Sequence, residues 1–251
     1  MKRMGASAVV GALLLAAAGM AGGAEPEGWE AEITPYLWLV GLSGDVTVRG
    51  QKIHFDRSTS DILADAKVAG SALSVVQYDR FLFWGQVDYY SISTSKMDVK
   101  DRPQGGTLDT DVVLGEAALG YQIDGWKEGQ TFDLLLGLRA MHLKHDLEVY
   151  GYGSYQNDSN AFDPILVVRP FLPLFPSKIR GLALNPTLAI GGGGDSDLVY
   201  ELYVQLQYQI SEYVVGRLGY RTVGYQVSGD RDGNKLDCRL AGLMVGLGVT
   251  F

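Results

Sequence analysis

A chain of 251 residues is long enough for one barrel-type domain or two small ones, and its 33 Gly, its 14 Tyr against 8 Phe and its 20% charged residues suit strands and turns better than helices. The formal net charge of −8 argues against nucleic acid as a partner. Cys238 is the only cysteine, which excludes an internal disulfide and leaves it the role of a small side chain in the last strand.

Lys2 and Arg3 precede an apolar run through Val9, Val10 and Leu13 to Leu15, and small residues follow as far as Gly22-Gly23-Ala24. This is the pattern of a secretory signal peptide spanning residues 1–24. Its apolar run is shorter than the roughly 20 residues that a spanning helix needs. Removing it takes away two basic residues and no acidic one, so the formal charge of residues 25–251 is −10. No later segment reaches 18 apolar residues, so the exported chain is either soluble or a barrel.

From Glu30 to Val40, Ile33, Pro35, Leu37 and Leu39 share one strand face, and Glu32, Thr34, Tyr36 and Trp38 share the other. Pro35 donates no hydrogen bond and is expected at a bulge. Gly41 to Phe55 extends this strand as a small hairpin. Ser58 to Ala64 offers Ser60 as an N-cap and Asp61 in the first turn of a short helix, whose Ile62 and Leu63 would either fold into the barrel mouth or pack within an open loop closed on itself. The stretches from Ala66 to Tyr78 and from Phe81 to Ser95 form a hairpin about Asp79-Arg80, with Trp84, Gln86, Asp88 and Tyr90 inward. Asp98 to Gly106 is a longer polar loop.

The strand from Asp111 to Ile123 turns Glu116 to the opposite side from Val113, Ala117, Leu119 and Tyr121. Thr131 to Leu147 places Asp133, Gly137 and Arg139 inward, and Tyr150 to Asn160 is read as an external loop. Ala161 to Leu174 holds Asp163 and Arg169 in one phase, and Gly181 to Gly192 follows with Asn185 and Thr187 inward. Leu198 to Ile210 shows the cleanest alternation in the chain. Leu198, Tyr200, Leu202, Val204, Leu206, Tyr208 and Ile210 lie on one face, and Glu201, Tyr203, Gln205, Gln207 and Gln209 lie on the other. Thirteen residues at about 3.3 Å each, tilted by about 40°, rise about 33 Å, enough to cross an outer membrane. Val214 to Val227 turns Arg217, Gly219 and Arg221 inward, and Asp232-Gly233 is a hairpin signal. Lys235 to Phe251 alternates Leu247, Val249 and Phe251 outward with Gly246, Gly248 and Thr250 inward.

The expected fold is therefore all-β: a single antiparallel transmembrane β-barrel of about ten strands over residues 25–251, with eight or twelve also compatible, and a short helix in the first external loop. Trp29, Tyr121, Trp126, Phe132, Phe175, Tyr208, Tyr213 and Phe251 would gather at one rim as an interfacial girdle. The terminal Phe251, preceded by Val249 and Leu247, resembles the assembly signal of Gram-negative outer-membrane barrels. Trp29, Pro35-Tyr36-Leu37-Trp38, Gly41-Leu42-Ser43-Gly44, Asp163-Pro164 and Gly219-Tyr220-Arg221 together resemble a family of poorly characterised bacterial outer-membrane β-barrel proteins. The resemblance implies location and fold, and it supplies no catalytic residues.

The candidate site is the inward charge set Asp88, Glu116, Arg139, Asp163, Arg169, Glu201, Arg217 and Arg221. Buried charges are costly unless paired, so a narrow barrel would pair them across its interior, either as a structural ladder or as a charge-lined passage for a small solute. His54, His142 and His145 lack a Ser and an acid arranged around them, and His142 and His145 fall on opposite strand faces. Gly191 to Asp197 lacks the Lys-Ser/Thr of a phosphate loop, and Asp230 to Asn234 lacks the spacing of a calcium loop; both read as turns, and no cofactor or metal is expected. Outer-membrane lipid and the barrel-assembly machinery are the expected partners of a monomer that is not an enzyme. An enzyme acting on lipid or peptide at the external rim is the rival reading, and a protein that binds through its external loops is a third.

Overall fold

The computed structural model describes residues 28–48, 51–94, 106–149, 153–228 and 235–251. Residues 1–27, and with them the expected signal peptide, lie outside the described residues, as do most of the 98–106 loop and the Asp232-Gly233 turn. The elements are β1 (Trp29–Val48), β2 (Gln51–Arg57), α1 (Thr59–Asp65), β3 (Ala66–Tyr78), β4 (Phe81–Thr94), β5 (Gly106–Asp124) and β6 (Thr131–Val149). They continue as β7 (Gly153–Pro173), β8 (Leu182–Leu184), β9 (Thr187–Gly191), β10 (Leu198–Ser211), β11 (Val214–Ser228) and β12 (Lys235–Thr250). No helix among the described residues is long and apolar enough to cross a membrane.

The strands pair antiparallel in chain order, apart from β2, which pairs with β1 alone, and β8 and β9, which pair with β7 and β10 and not with each other; β12 returns to pair with β1 from Glu32↔Thr250 to Thr47↔Lys235, closing the sheet on itself. The barrel has ten staves, because β8 and β9 both lie between β7 and β10 and make one interrupted stave, while β2 is a hairpin partner of upper β1. The alternation in sequence predicts this stave unbroken from Gly181 to Gly192. Pro186 interrupts it, since its nitrogen cannot donate to a ladder. Asn185 bridges the break by giving its backbone N–H to the Gln205 carbonyl (2.9 Å) and its side-chain amide to the Pro170 carbonyl (2.9 Å).

The stretch expected as a loop from Tyr150 to Asn160 is strand from Gly153 onward, paired with β6 as far as Val149↔Gly153, so the hairpin projects well past the wall. The helix is capped by Ser58 rather than Ser60. The Ser58 hydroxyl faces the Asp61 N–H at 3.2 Å, and the Asp61 carboxylate accepts from the Ser58 N–H at 3.1 Å, a reciprocal box three residues apart. Ile62 is buried in one cluster with the inward-facing Tyr36, Trp38, Val40 and Tyr90, so the helix packs toward the mouth, one of the two expected arrangements.

The period-two pattern sorts the wall. Leu37, Leu119, Leu134, Leu136, Leu138, Leu202, Leu218 and Leu243 stand exposed on the outside, while Trp84, Leu114, Leu135, Val167, Tyr203 and Met244 are buried inside. Such a continuous apolar exterior demands a hydrocarbon solvent. Trp29, Tyr78, Phe81, Tyr121, Trp126, Phe175 and Tyr213 ring the rim that carries the short turns, and Trp29–Tyr78, Phe81–Tyr121 and Trp126–Phe132 are in ring contact at 4.8, 5.3 and 5.2 Å. Pro35 is absorbed without a bulge. The β1–β12 register is the same on both sides of it, and only the Thr34 and Pro35 pairings drop out of the ladder.

Candidate functional site

Arginine and carboxylate side chains from seven staves meet across the lumen, each delivered by the inward phase of its strand. At mid-height Arg221 on β11 donates from Nε to Glu201 Oε1 (2.9 Å), from Nη1 to Asp88 Oδ2 (2.6 Å), and from Nη2 to Glu116 Oε1 (2.8 Å) and Glu201 Oε2 (3.2 Å). Its guanidinium also lies over the Trp38 ring, 4.5 Å from the centroid. Arg139 on β6 donates to Glu201 Oε2 (2.6 Å) and stands 3.1 Å from Glu116 Oε2. Tyr36 donates its hydroxyl hydrogen to Asp88 Oδ1 (2.7 Å), and the Gln86 amide lies 2.7 Å from the same hydroxyl oxygen. Two guanidiniums and three carboxylates thus form one layer, and its members Asp88, Glu116, Arg139, Glu201 and Arg221 are none more than 7% exposed.

A second layer lies toward the aromatic rim. Arg217 makes a two-pronged pair with Glu32, Nε to Oε1 at 2.9 Å and Nη2 to Oε2 at 2.7 Å, and gives Nη1 to Gln205 Oε1 at 3.2 Å. Glu32 also accepts from Thr34. Arg169 stands 3.5 Å from Asp133 Oδ2 and 5.8 Å from the centroid of the Trp84 ring. Gln205, Asn185 and Tyr203 link this layer to the interrupted stave, with Tyr203 and Asn185 each bonded to Gln205, at 2.8 and 3.0 Å.

Seven of the eight residues singled out from sequence therefore join these two layers. Asp163 does not. It sits across from Arg139 in the β6–β7 register, yet its Oδ1 accepts the Ser196 N–H at 2.9 Å and anchors the glycine-rich turn after β9. That turn folds back on β7. Gly192 and Gly193 have φ of +134° and +78°, and a Cβ on Gly194 would overlap the Phe162 carbonyl oxygen, so the glycine run follows from close approach. Glu32 and Asp133, outside the set expected from sequence, complete the charge set. Both occupy the inward phase of their strands, which is the signal that places them.

Two histidines have surface partners. His54 Nδ1 lies 3.0 Å from Asp45 Oδ1 and His142 Nδ1 lies 2.7 Å from Asn160 Oδ1, both in exposed positions. The His145 side chain lies outside the described residues. Among the described residues no group of three or more His, Cys, Asp or Glu is placed to hold a metal ion.

The fold and its interior define a closed ten-stave antiparallel barrel, apolar outside, with an ion-paired and densely bonded lumen. No family model and no curated protein matches the chain. Among solved structures it is similar to the outer membrane protease OmpT from Escherichia coli, at 8% identity and a TM-score of 0.46, over 90% of this chain and 97% of that one. It is similar also to the translocator domain of the autotransporter NalP from Neisseria meningitidis, at 12% identity and a TM-score of 0.47, over 98% and 96%. A third is Ail, the attachment invasion locus protein of Yersinia pestis, at 13% identity and a TM-score of 0.37, over 90% and 100%.

Proposed function

We propose that the chain is an integral outer-membrane β-barrel with a structural role whose lumen is closed at rest, so that any passage of small solutes must go through the ion-paired layer at its waist. The observation that carries this reading is Arg221, wholly inaccessible to solvent and bonded to three carboxylates from three other staves. A lumen that conducts ions leaves its lining charges wet; this one holds them dry and paired. The rim with the short turns faces the periplasm and the long hairpins face outward, as in barrels of this architecture. On this reading the chain is a monomer, not an enzyme, exported by residues 1–24 and inserted by the barrel-assembly machinery. Outer-membrane lipid covers its wall.

Planar-bilayer recording tests the closure. Wild type is expected to show no steady conductance, and Glu201→Ala, which removes the carboxylate shared by Arg139 and Arg221, is expected to open a measurable anion-preferring current. Arg217→Ala, which takes a cation from the lower layer, should shift any such current toward cations. Steady large steps in wild type would sink the closed-lumen reading. Hydrolysis of lipid or peptide by the purified folded protein would favour an enzyme instead.

A further inference from the structure

The wall has one seam where neighbouring staves part. β1 pairs with β3 only from Trp29↔Tyr78 to Tyr36↔Ser71, and from Leu42 upward its partner on that side is β2. Between these ladders the backbone from Leu37 to Gly41 faces no strand there, and the upper residues of β3, up to Gly70, pair only with β4. Side chains take over part of the bonding: the Leu39 carbonyl accepts from the Thr59 hydroxyl at 3.2 Å and the Trp38 carbonyl accepts from the Tyr90 hydroxyl at 3.1 Å. Gly41 permits the crossing, since a Cβ there would press on the Arg57 carbonyl oxygen and the Thr59 nitrogen at 3.3 and 3.4 Å. A cavity of 90 Å³ occupies the seam, lined from the outer wall by Leu37 and Leu39, from the inner side by Trp38 and Tyr90, from α1 by Ile62 and from β3 by Ala69.

Three features say what such a cavity takes. Leu37, one of its walls, is 60% exposed on the lipid-facing exterior, so the cavity borders the hydrocarbon-contacting surface. At about 3.3 Å per residue and a tilt of about 40°, Leu37 to Val40 lie about 20 to 28 Å above the Trp29 rim. With the orientation proposed above, this is the outer edge of an apolar band about 25 Å tall. Lastly, the lining is apolar apart from Ser71 and the Tyr36 and Tyr90 hydroxyls, which donate to Asp88 and to the Trp38 carbonyl, and Trp38 is a buried member of it whose Nε1–H has no acceptor among the described residues. A buried donor left unpaired is costly, and an incoming acceptor oxygen relieves that cost.

We propose that the seam between β1 and β3 is a lateral binding site for a free single-chain lipophile, an aliphatic molecule with an uncharged carbonyl group at its end, entering from the outer leaflet and accepting a hydrogen bond from Trp38. The size is selective. At 90 Å³ the cavity is smaller than one of about 150 Å³ that holds benzene, so it admits a slim chain end and refuses rings and two-chain lipids. The site needs the wall to face lipid and does not need the lumen to be closed.

The test is the indole N–H region of the NMR spectrum of the ¹⁵N-labelled protein in lipid nanodiscs, titrated with methyl decanoate and, separately, with decane. Methyl decanoate is expected to move one indole resonance downfield in a saturable way, with that resonance absent in Trp38→Phe and unmoved in Ala69→Phe, which fills the cavity. Decane is expected to leave it in place. No saturable shift in wild type, an equal shift with decane, or a shift that survives Ala69→Phe overturns the proposal. The two wild-type titrations decide by themselves if a variant fails to fold. A conducting wild type that keeps the shift would sink the closed lumen and leave this site standing, and a silent one without the shift would do the reverse.

Discussion

Arg221 has three carboxylate partners and no solvent-exposed surface, so its removal strands charge rather than merely deleting contacts. Arg221→Ala leaves Asp88, Glu116 and Glu201 with Arg139 as the single cation in their layer. The expected loss is about 3–5 kcal/mol, the usual cost of breaking a buried ion pair from one side, read from urea unfolding in phospholipid vesicles. Replacing Leu, which faces lipid, by Ala on the outer wall should cost far less. A different residue-scale prediction concerns pH. The Ser58 hydroxyl, and then its N–H, hold the Asp61 carboxyl below the ordinary carboxylate range. A folded value below the unfolded one means that the cap's contribution is full at neutral pH and is lost as pH falls through the folded value. Hydrogen exchange at the Ile62 amide, which bonds to the Ser58 carbonyl at 3.1 Å, should therefore accelerate below the ordinary carboxylate range, beyond the intrinsic pH effect. In Asp61→Asn that step should vanish.

At the scale of the element, alternation was readable because a strand in a membrane wall has a different solvent on each face. Every inward residue picked out on β4, β6 and β11 by period two is buried or inward in the structure, and the outward leucines of β6 and β12 are exposed. The interruption of the Gly181 to Gly192 stave was not read, although Pro186 marks it. Nor was the strand from Gly153 to Asn160, whose Gly, Ser, Asn and Tyr composition looks like a loop until β6 supplies a partner. Glycine roles are likewise pair properties. A Cβ on Gly242 would overlap the Leu39 carbonyl across the β1–β12 closure, whereas one on Gly115 meets nothing within 4 Å. Gly242→Val should abolish the compact, heat-modifiable species on a semi-native gel, and Gly115→Ala should leave it unchanged, with stability altered by less than about 0.5 kcal/mol.

For the whole molecule, the governing fact is a surface of leucine, valine and aromatic side chains that water would not tolerate. Leu136, 71% exposed and five residues above the Thr131 end of β6, about 13 Å up and so midway through an apolar band about 25 Å tall, is the place to probe it. Leu136→Arg should cost about 2–4 kcal/mol in vesicle unfolding, and the same change at the rim, at Trp126, should cost about 0–1 kcal/mol. Equal costs at both depths would contradict a hydrocarbon solvent around the wall.

Sequence alone settled which side of each strand is apolar, that the strands are long enough to cross a bilayer, and which charges point inward, because all three depend only on period and length along a single segment. Tertiary structure alone decided which charges meet. Arg221 and Asp88 are 133 residues apart and Arg217 and Glu32 are 185 apart, and their contact depends on the stagger of ten staves around a closed ring. It also decided that Asp163 holds a turn instead of an arginine and that β1 leaves β3 for β2 above Tyr36, since register between strands is a property of the pair, and one chain segment carries no record of its partner's position.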